Sequence, residues 1–167
     1  ELHENPLVVR SEAVAMLREA VRPAELMGEL VEVAQLHLTL GNIDEALAAW
    51  NEEAKIAEAL GRIDEALRSL GAMADVCEDE GRTHEAAGYV VRRAELLRDS
   101  KLDLDGANQA LERAWALEPN LQLAQTAIEL ARRRSDRDAE IDWVERTLAS
   151  LEPVAKARAF IALARLH

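Results

Sequence analysis

Apolar residues along this chain recur in steps of three and four, the spacing that places them on one face of an α-helix. One stripe runs Ile43, Leu47, Trp50, Ala54, Ala57, and the next runs Ile63, Leu67, Leu70, Ala74, Cys77. Between the stripes stand short, repeated breaks. Gly41-Asn42-Ile43-Asp44-Glu45-Ala46-Leu47 returns as Gly61-Arg62-Ile63-Asp64-Glu65-Ala66-Leu67 and, degraded, as Gly81-Arg82-Thr83-His84-Glu85-Ala86-Ala87, 20 residues apart each time. Each copy reads as one helix stop and the next helix start. Glycine takes the left-handed conformation that closes a helix, and Asp44 or Asp64 puts a carboxylate near the positive end of the next one. By spacing, all seven glycines read as turn glycines. A unit of this length holds a helix of about 16 residues and a tight turn, and short turns make neighbouring helices antiparallel. The pattern predicts helices over 9–21, 24–40, 44–60, 64–80, 84–99, 103–117, 121–134, 138–151 and 154–167, with Asn5-Pro6 and Arg22-Pro23 at the first two boundaries.

At twice that spacing Leu30 aligns with Leu70, Val33 with Met73, Ala34 with Ala74 and Ala54 with Ala94. Recurring alanines let helix backbones approach closely, so Ala54, Ala74 and Ala94 are expected at tight contacts. Later the punctuation changes: Glu118-Pro119-Asn120 and Glu152-Pro153-Val154 bring in proline, at 119 and again at 153. Proline stops a helix because it lacks the amide donor and clashes with the preceding turn. With these residues, and with the interval from Pro119 to Pro153, the chain resembles the tetratricopeptide repeats, whose unit is a 34-residue helical hairpin. Asp105 to Asn120 is similar to the second helix and exit of such a repeat, with Ala107 and Ala114 at its small positions and Pro119 at its closing proline. Gly61 with Ala66 matches the inter-helix turn, and Trp50 and Ala54 fall on the first-helix aromatic and small positions. The resemblance covers residues 24–167, with residues 1–23 as an N-terminal extension and helix. It implies an all-α, right-handed superhelical solenoid of antiparallel helix hairpins, with a concave groove lined mainly by first helices.

Composition agrees with the helical class. Ala and Leu supply 31 and 25 of the 167 residues, while aromatics are 3%, which removes most of the strand vocabulary. Net charge is −12, an unfavourable balance for contact with nucleic acid. The charge is uneven: residues 1–83 carry 7 basic and 18 acidic side chains, residues 84–167 carry 13 and 14. An acidic face over the first half is therefore expected, suited to a basic partner. The single cysteine, Cys77, fits a reducing, cytoplasmic setting, and no apolar run reaches the roughly 20 residues that cross a bilayer. The sequence starts at Glu1 and ends in helical pattern, so it is expected to be a piece of a longer protein.

Chemistry is scarce. His3, His37, His84 and His167 show no zinc-type spacing, and neither a phosphate loop nor a nucleophile elbow is present. His37 and Cys77 share a register position and read as helix-face residues. Trp50, Trp115 and Trp143 read as packing residues, and Arg132-Arg133-Arg134 as a complement to a negative helix terminus. No catalytic residue, metal ligand or cofactor site is expected, and the chain is not read as an enzyme. The resemblance implies a non-catalytic scaffold holding a peptide or helix of a protein partner. Lys55, Lys101 and Lys156 are too few for the family's Lys/Asn grip on a C-terminal carboxylate. Glu52, Glu53, Glu78 and Glu80 are the candidate partner-binding residues, and a basic segment is the expected partner. The alternative is a regulatory or oligomerisation arm of a larger enzyme or signalling protein, and self-association is compatible with either.

Overall fold

The computed structural model describes residues 5–20 and 22–150. These residues form α1 (Pro6–Glu19), α2 (Pro23–Thr39), α3 (Ile43–Ala59), α4 (Ile63–Asp79), α5 (Thr83–Leu96), α6 (Leu104–Leu117), α7 (Leu121–Arg133) and α8 (Arg137–Ser150), with a π-turn at Leu97–Lys101 continuing α5. No strand occurs among the described residues, and none of their helices is long and apolar enough to cross a membrane. The helix expected over 154–167 lies outside the described residues, as do Pro153, Lys156, His3 and His167.

The repeated glycine breaks form one hydrogen-bonded motif three times. After α2, the Asn42 amide donates to the His37 carbonyl at 2.9 Å and the Gly41 amide to Leu38 at 3.0 Å. Arg62 and Gly61 do the same after α3, as do Arg82 and Gly81 after α4. This double bond pattern is the Schellman closure, which requires a left-handed residue at its centre. Gly41, Gly61 and Gly81 supply it, with φ between 71° and 76°. The expectation that every glycine is a turn glycine is corrected here: Gly28, Gly71, Gly88 and Gly106 lie inside helices. Conversely, Ser135 closes α7 in the same pattern at φ 56°, and Leu102 closes the π-turn at φ 55°.

α1 begins at Pro6, ahead of the expected start at 9, because the Asn5 side chain accepts from the Leu7 amide and proline suits the first helical turn. From α2 onward, successive helices begin at Pro23, Ile43, Ile63, Thr83, Leu104, Leu121 and Arg137. The steps are nearly even as far as α6 and shorter beyond it. The long early period and the closer spacing of the prolines thus reflect one change, a shortening of the unit after α6. Each helix packs against its sequence neighbours. One core joins Val14, α2, α3 and α4, and a second joins Val90 and Ala94 to α6, α7 and Trp143, with Tyr89 and Leu117 touching both. Ala54, Ala74 and Ala94 are all buried, as their recurrence predicts.

Ion pairs tie several helices to the one after next, and one, from Lys101 of the π-turn, ties the end of α5 back to α4. Arg82 binds Asp44 at 2.7 Å, Arg92 binds Glu58 at 2.6 Å, Lys101 binds Asp64 at 2.8 Å and Arg113 binds Asp75 at 2.6 Å. Arg18 pairs with Glu52 through its Nε at 2.9 Å, and Arg146 with Glu112 at 2.5 Å. The partners lie 34 to 38 residues apart.

Candidate functional site

The four acidic candidates do not share one free face. Glu52 is held by Arg18 from α1, and the Nε of Arg113 from α6 donates to Glu78 at 2.8 Å. Glu80 is exposed at the end of α4, with no ion pair among the described residues. Glu53 is buried, 2% exposed. The reason lies in helix geometry: adjacent residues point about 100° apart, so Glu52 looks outward while Glu53 falls among Ala46, Trp50 and Ala57 on the buried face. The charge asymmetry shrinks for a related reason. Glu58, Asp64, Asp75 and Glu78 of the acidic half are paired with Arg92, Lys101 and Arg113 of the other. An imbalance along the sequence is therefore only partly an imbalance on the surface.

A cleft of about 480 Å³ opens between α2 and α4, over α3. Ala24, Met27, Gly28, Val31, Glu32 and Gln35 form the α2 wall, and Arg62, Glu65, Arg68, Ser69 and Ala72 the α4 wall. Trp50 and Glu53 of α3 form the floor. The walls stand apart because small residues face the gap: a methyl added at Gly28 meets nothing within 4 Å. Beyond Arg68 and Ala72 the depression continues past Gly71 to Asp75 and Arg93. The cleft is walled by α2 and α4, with α3 beneath them.

Charges on the rim largely cancel. Arg62 binds Glu65 at 2.7 Å, and Glu32 lies 3.7 Å from Arg10. Glu53 differs from both. Its Oε2 accepts a hydrogen bond from the Ser69 hydroxyl at 2.5 Å, Oε1 accepts none among the described residues, and none of their cations lies within ion-pair distance. Burial holds its carboxyl above the usual range, opposed by the Ser69 hydrogen bond and by Arg68.

The sequence carried a signal for this residue that pairwise reading missed. Positions 33, 53, 73 and 93 are one register site of the 20-residue repeat, occupied by Val33, Glu53, Met73 and Arg93. Val33 and Met73 are buried core residues. Glu53 is thus an acid on a core position, and Arg93, whose Nε is buried without a partner, is a base on another.

The remaining sequence candidates are structural. Cys77 is buried, and His37 sits 3.4 Å from the Asn42 side chain. Trp115 and Trp143 meet edge to face at 5.6 Å, with the Arg146 guanidinium 5.1 Å from the Trp143 ring centre. Arg132 binds Glu140 and Arg134 binds Asp105, so the arginine run braces α7 against its neighbours. Lys101 is engaged with Asp64, leaving Lys55 exposed on α3. No group of three or more His, Cys, Asp or Glu suited to a metal occurs among the described residues.

No family model matches the chain, and no curated protein matches it in sequence. Among solved structures it is similar to BtubC (BKLC) from P. vanneervenii, at 21% identity and a TM-score of 0.44, over 87% of this chain and 74% of that one. A likeness of that size leaves function to be argued from the residues themselves.

Proposed function

We propose that the chain is a non-catalytic protein-interaction scaffold, a right-handed tetratricopeptide-like superhelix of antiparallel hairpins that holds a peptide or helix of a partner protein. The observation supporting this reading is the cleft between α2 and α4. It has Trp50 on its floor and Met27 on its α2 wall, and exposes Val31 on the same wall. Packing of each helix on its sequence neighbours supports the repeat architecture, since stacked hairpins present a preformed surface that lowers the ordering cost of binding. The buried thiol of Cys77 is in keeping with a cytoplasmic setting.

Affinity capture with the purified chain tests the reading when run on three proteins side by side. A partner should bind the wild type and a Val8→Glu control on α1, and be lost from Val31→Glu. Partners that bind all three equally would reject the cleft as the docking surface.

One observation favours the alternative of an oligomerisation arm. α1 exposes Val8, Val9 and Met16, the last at 69%. Isolated exposed apolar residues are ordinary, but three on one short helix suit contact with a second copy. Sedimentation of the wild type and Met16→Glu decides it: a dimer dissociated by the substitution supports the arm, and a monomer in both supports the scaffold.

A further inference from the structure

We propose that Glu53 is the anchor for a single basic side chain, Arg or Lys, of an extended peptide lying in the cleft between α2 and α4. This rests on the scaffold reading and gives it a recognition chemistry.

The carboxylates lining the cleft differ in what surrounds them. Glu32 and Glu65 already face Arg10 and Arg62, so neither offers a strong unmet demand for a cation. Glu53 is the most buried acid among the described residues and has only a neutral donor, Ser69. Its second oxygen has no hydrogen-bond partner among the described residues and is not sealed from solvent, so a cation entering the cleft can reach it. Met73, at the same register position of the next helix, shows that an apolar side chain fits this environment. The acid therefore sits where packing alone calls for no charge.

Geometry limits the occupant. The carboxylate lies on the floor of an open trough beside Trp50, so the cation must arrive on a long, thin stem. Arg and Lys bury their methylene stems along apolar surface while delivering charge at the tip. Met27, Val31 and Ala72 supply that surface on the walls. Arg62 and Arg68 at the rim disfavour a densely basic segment and leave room for one anchor flanked by neutral or acidic residues.

Selection of peptides from a random display library on the full chain tests the proposal, with affinities of selected peptides then measured on variants. Glu53→Gln keeps the shape and the Ser69 hydrogen bond while removing the charge, and Ser69→Ala keeps the carboxylate. The expected result is a family of peptides with one shared Arg or Lys, bound at least tenfold more weakly by Glu53→Gln, retained by Ser69→Ala and lost with Val31→Glu. Replacing the shared Arg by citrulline should cost the wild type the same factor and leave Glu53→Gln nearly unchanged. Peptides blocked by Val31→Glu but lacking a basic residue, or bound equally by Glu53→Gln, overturn the anchor and leave the scaffold standing. Failure to select any peptide sensitive to Val31→Glu overturns both.

Discussion

The helices from α2 to α5 and those from α6 to α8 solve the same problem with different materials. In the first group each turn between helices closes on a left-handed glycine, the starts at Pro23, Ile43, Ile63 and Thr83 are evenly spaced, and alanines bring the backbones together. In the second, closure falls to Pro119 and Ser135, the starts at Leu104, Leu121 and Arg137 crowd closer, and a Trp115–Trp143 pair under Arg146 joins the buried alanines of α6 and α7. The spacing of the helix starts thus follows the turn, while buried alanines line the packed faces of both groups. The cleft between α2 and α4 lies in the first group, and a second depression lies between α7 and α8 in the other.

The comparison breaks most severely at Trp143. Trp143→Ala removes a fully buried ring together with its edge-to-face partner and its guanidinium cover, for an expected loss of about 3–5 kcal/mol by urea unfolding. In the alanine-packed region the opposite change is the damaging one. Ala74→Leu overpacks a site 1% exposed and should cost about 1–3 kcal/mol; an unchanged midpoint would mean that the small residues there do not hold the helices close.

The turns should respond with opposite signs. Gly61→Ala forces a side chain into the left-handed region and should cost about 1–2 kcal/mol, while Ser135→Gly relieves the same strain and should raise the melting temperature slightly. Leu102→Gly should act like Ser135→Gly, because Leu102 is 77% exposed and loses little packing. Equal signs at Gly61 and Ser135 would contradict a shared closure.

Smaller still is the effect of pH through Glu53. Its carboxyl is held above the ordinary range by burial, so the folded protein keeps this proton where the unfolded chain has released it. The stability so contributed is full below the unfolded value near 4.5 and is lost as pH rises through the raised folded value. Glu53→Gln has no such titration. Its melting temperature should match the wild type near about pH 4 and exceed it once pH has risen through the raised folded value; a difference that does not change with pH would place the carboxylate in water.

Helix positions were legible because periodicity and turn chemistry agree at Gly41, Gly61 and Gly81. The π-turn was not, since nothing in Leu97-Arg98-Asp99-Ser100-Lys101 distinguishes a widened turn from an ordinary helix end. The ion pairs also escaped notice because their partners sit one or two helices apart, where no i to i+4 rule looks. Glu53 was visible as a residue but not its burial: beside Glu52 it looks like one of a pair, and only the column shared with Val33 and Met73 marks it as buried.

The ion pairs one or two helices apart have a consequence for synthesis of the chain. Asp44, Glu58, Asp64, Asp75 and Glu78 are all made before the bases that bind them, by 34 to 38 residues. At translation rates of about 5–20 residues per second, each acid waits roughly 2–8 s for its cation. During that interval its helix can already pack on the previous one, through contacts between sequence neighbours. The growing chain is thus clasped from behind as it lengthens, and each newly made arginine or lysine locks a helix laid down one or two steps earlier.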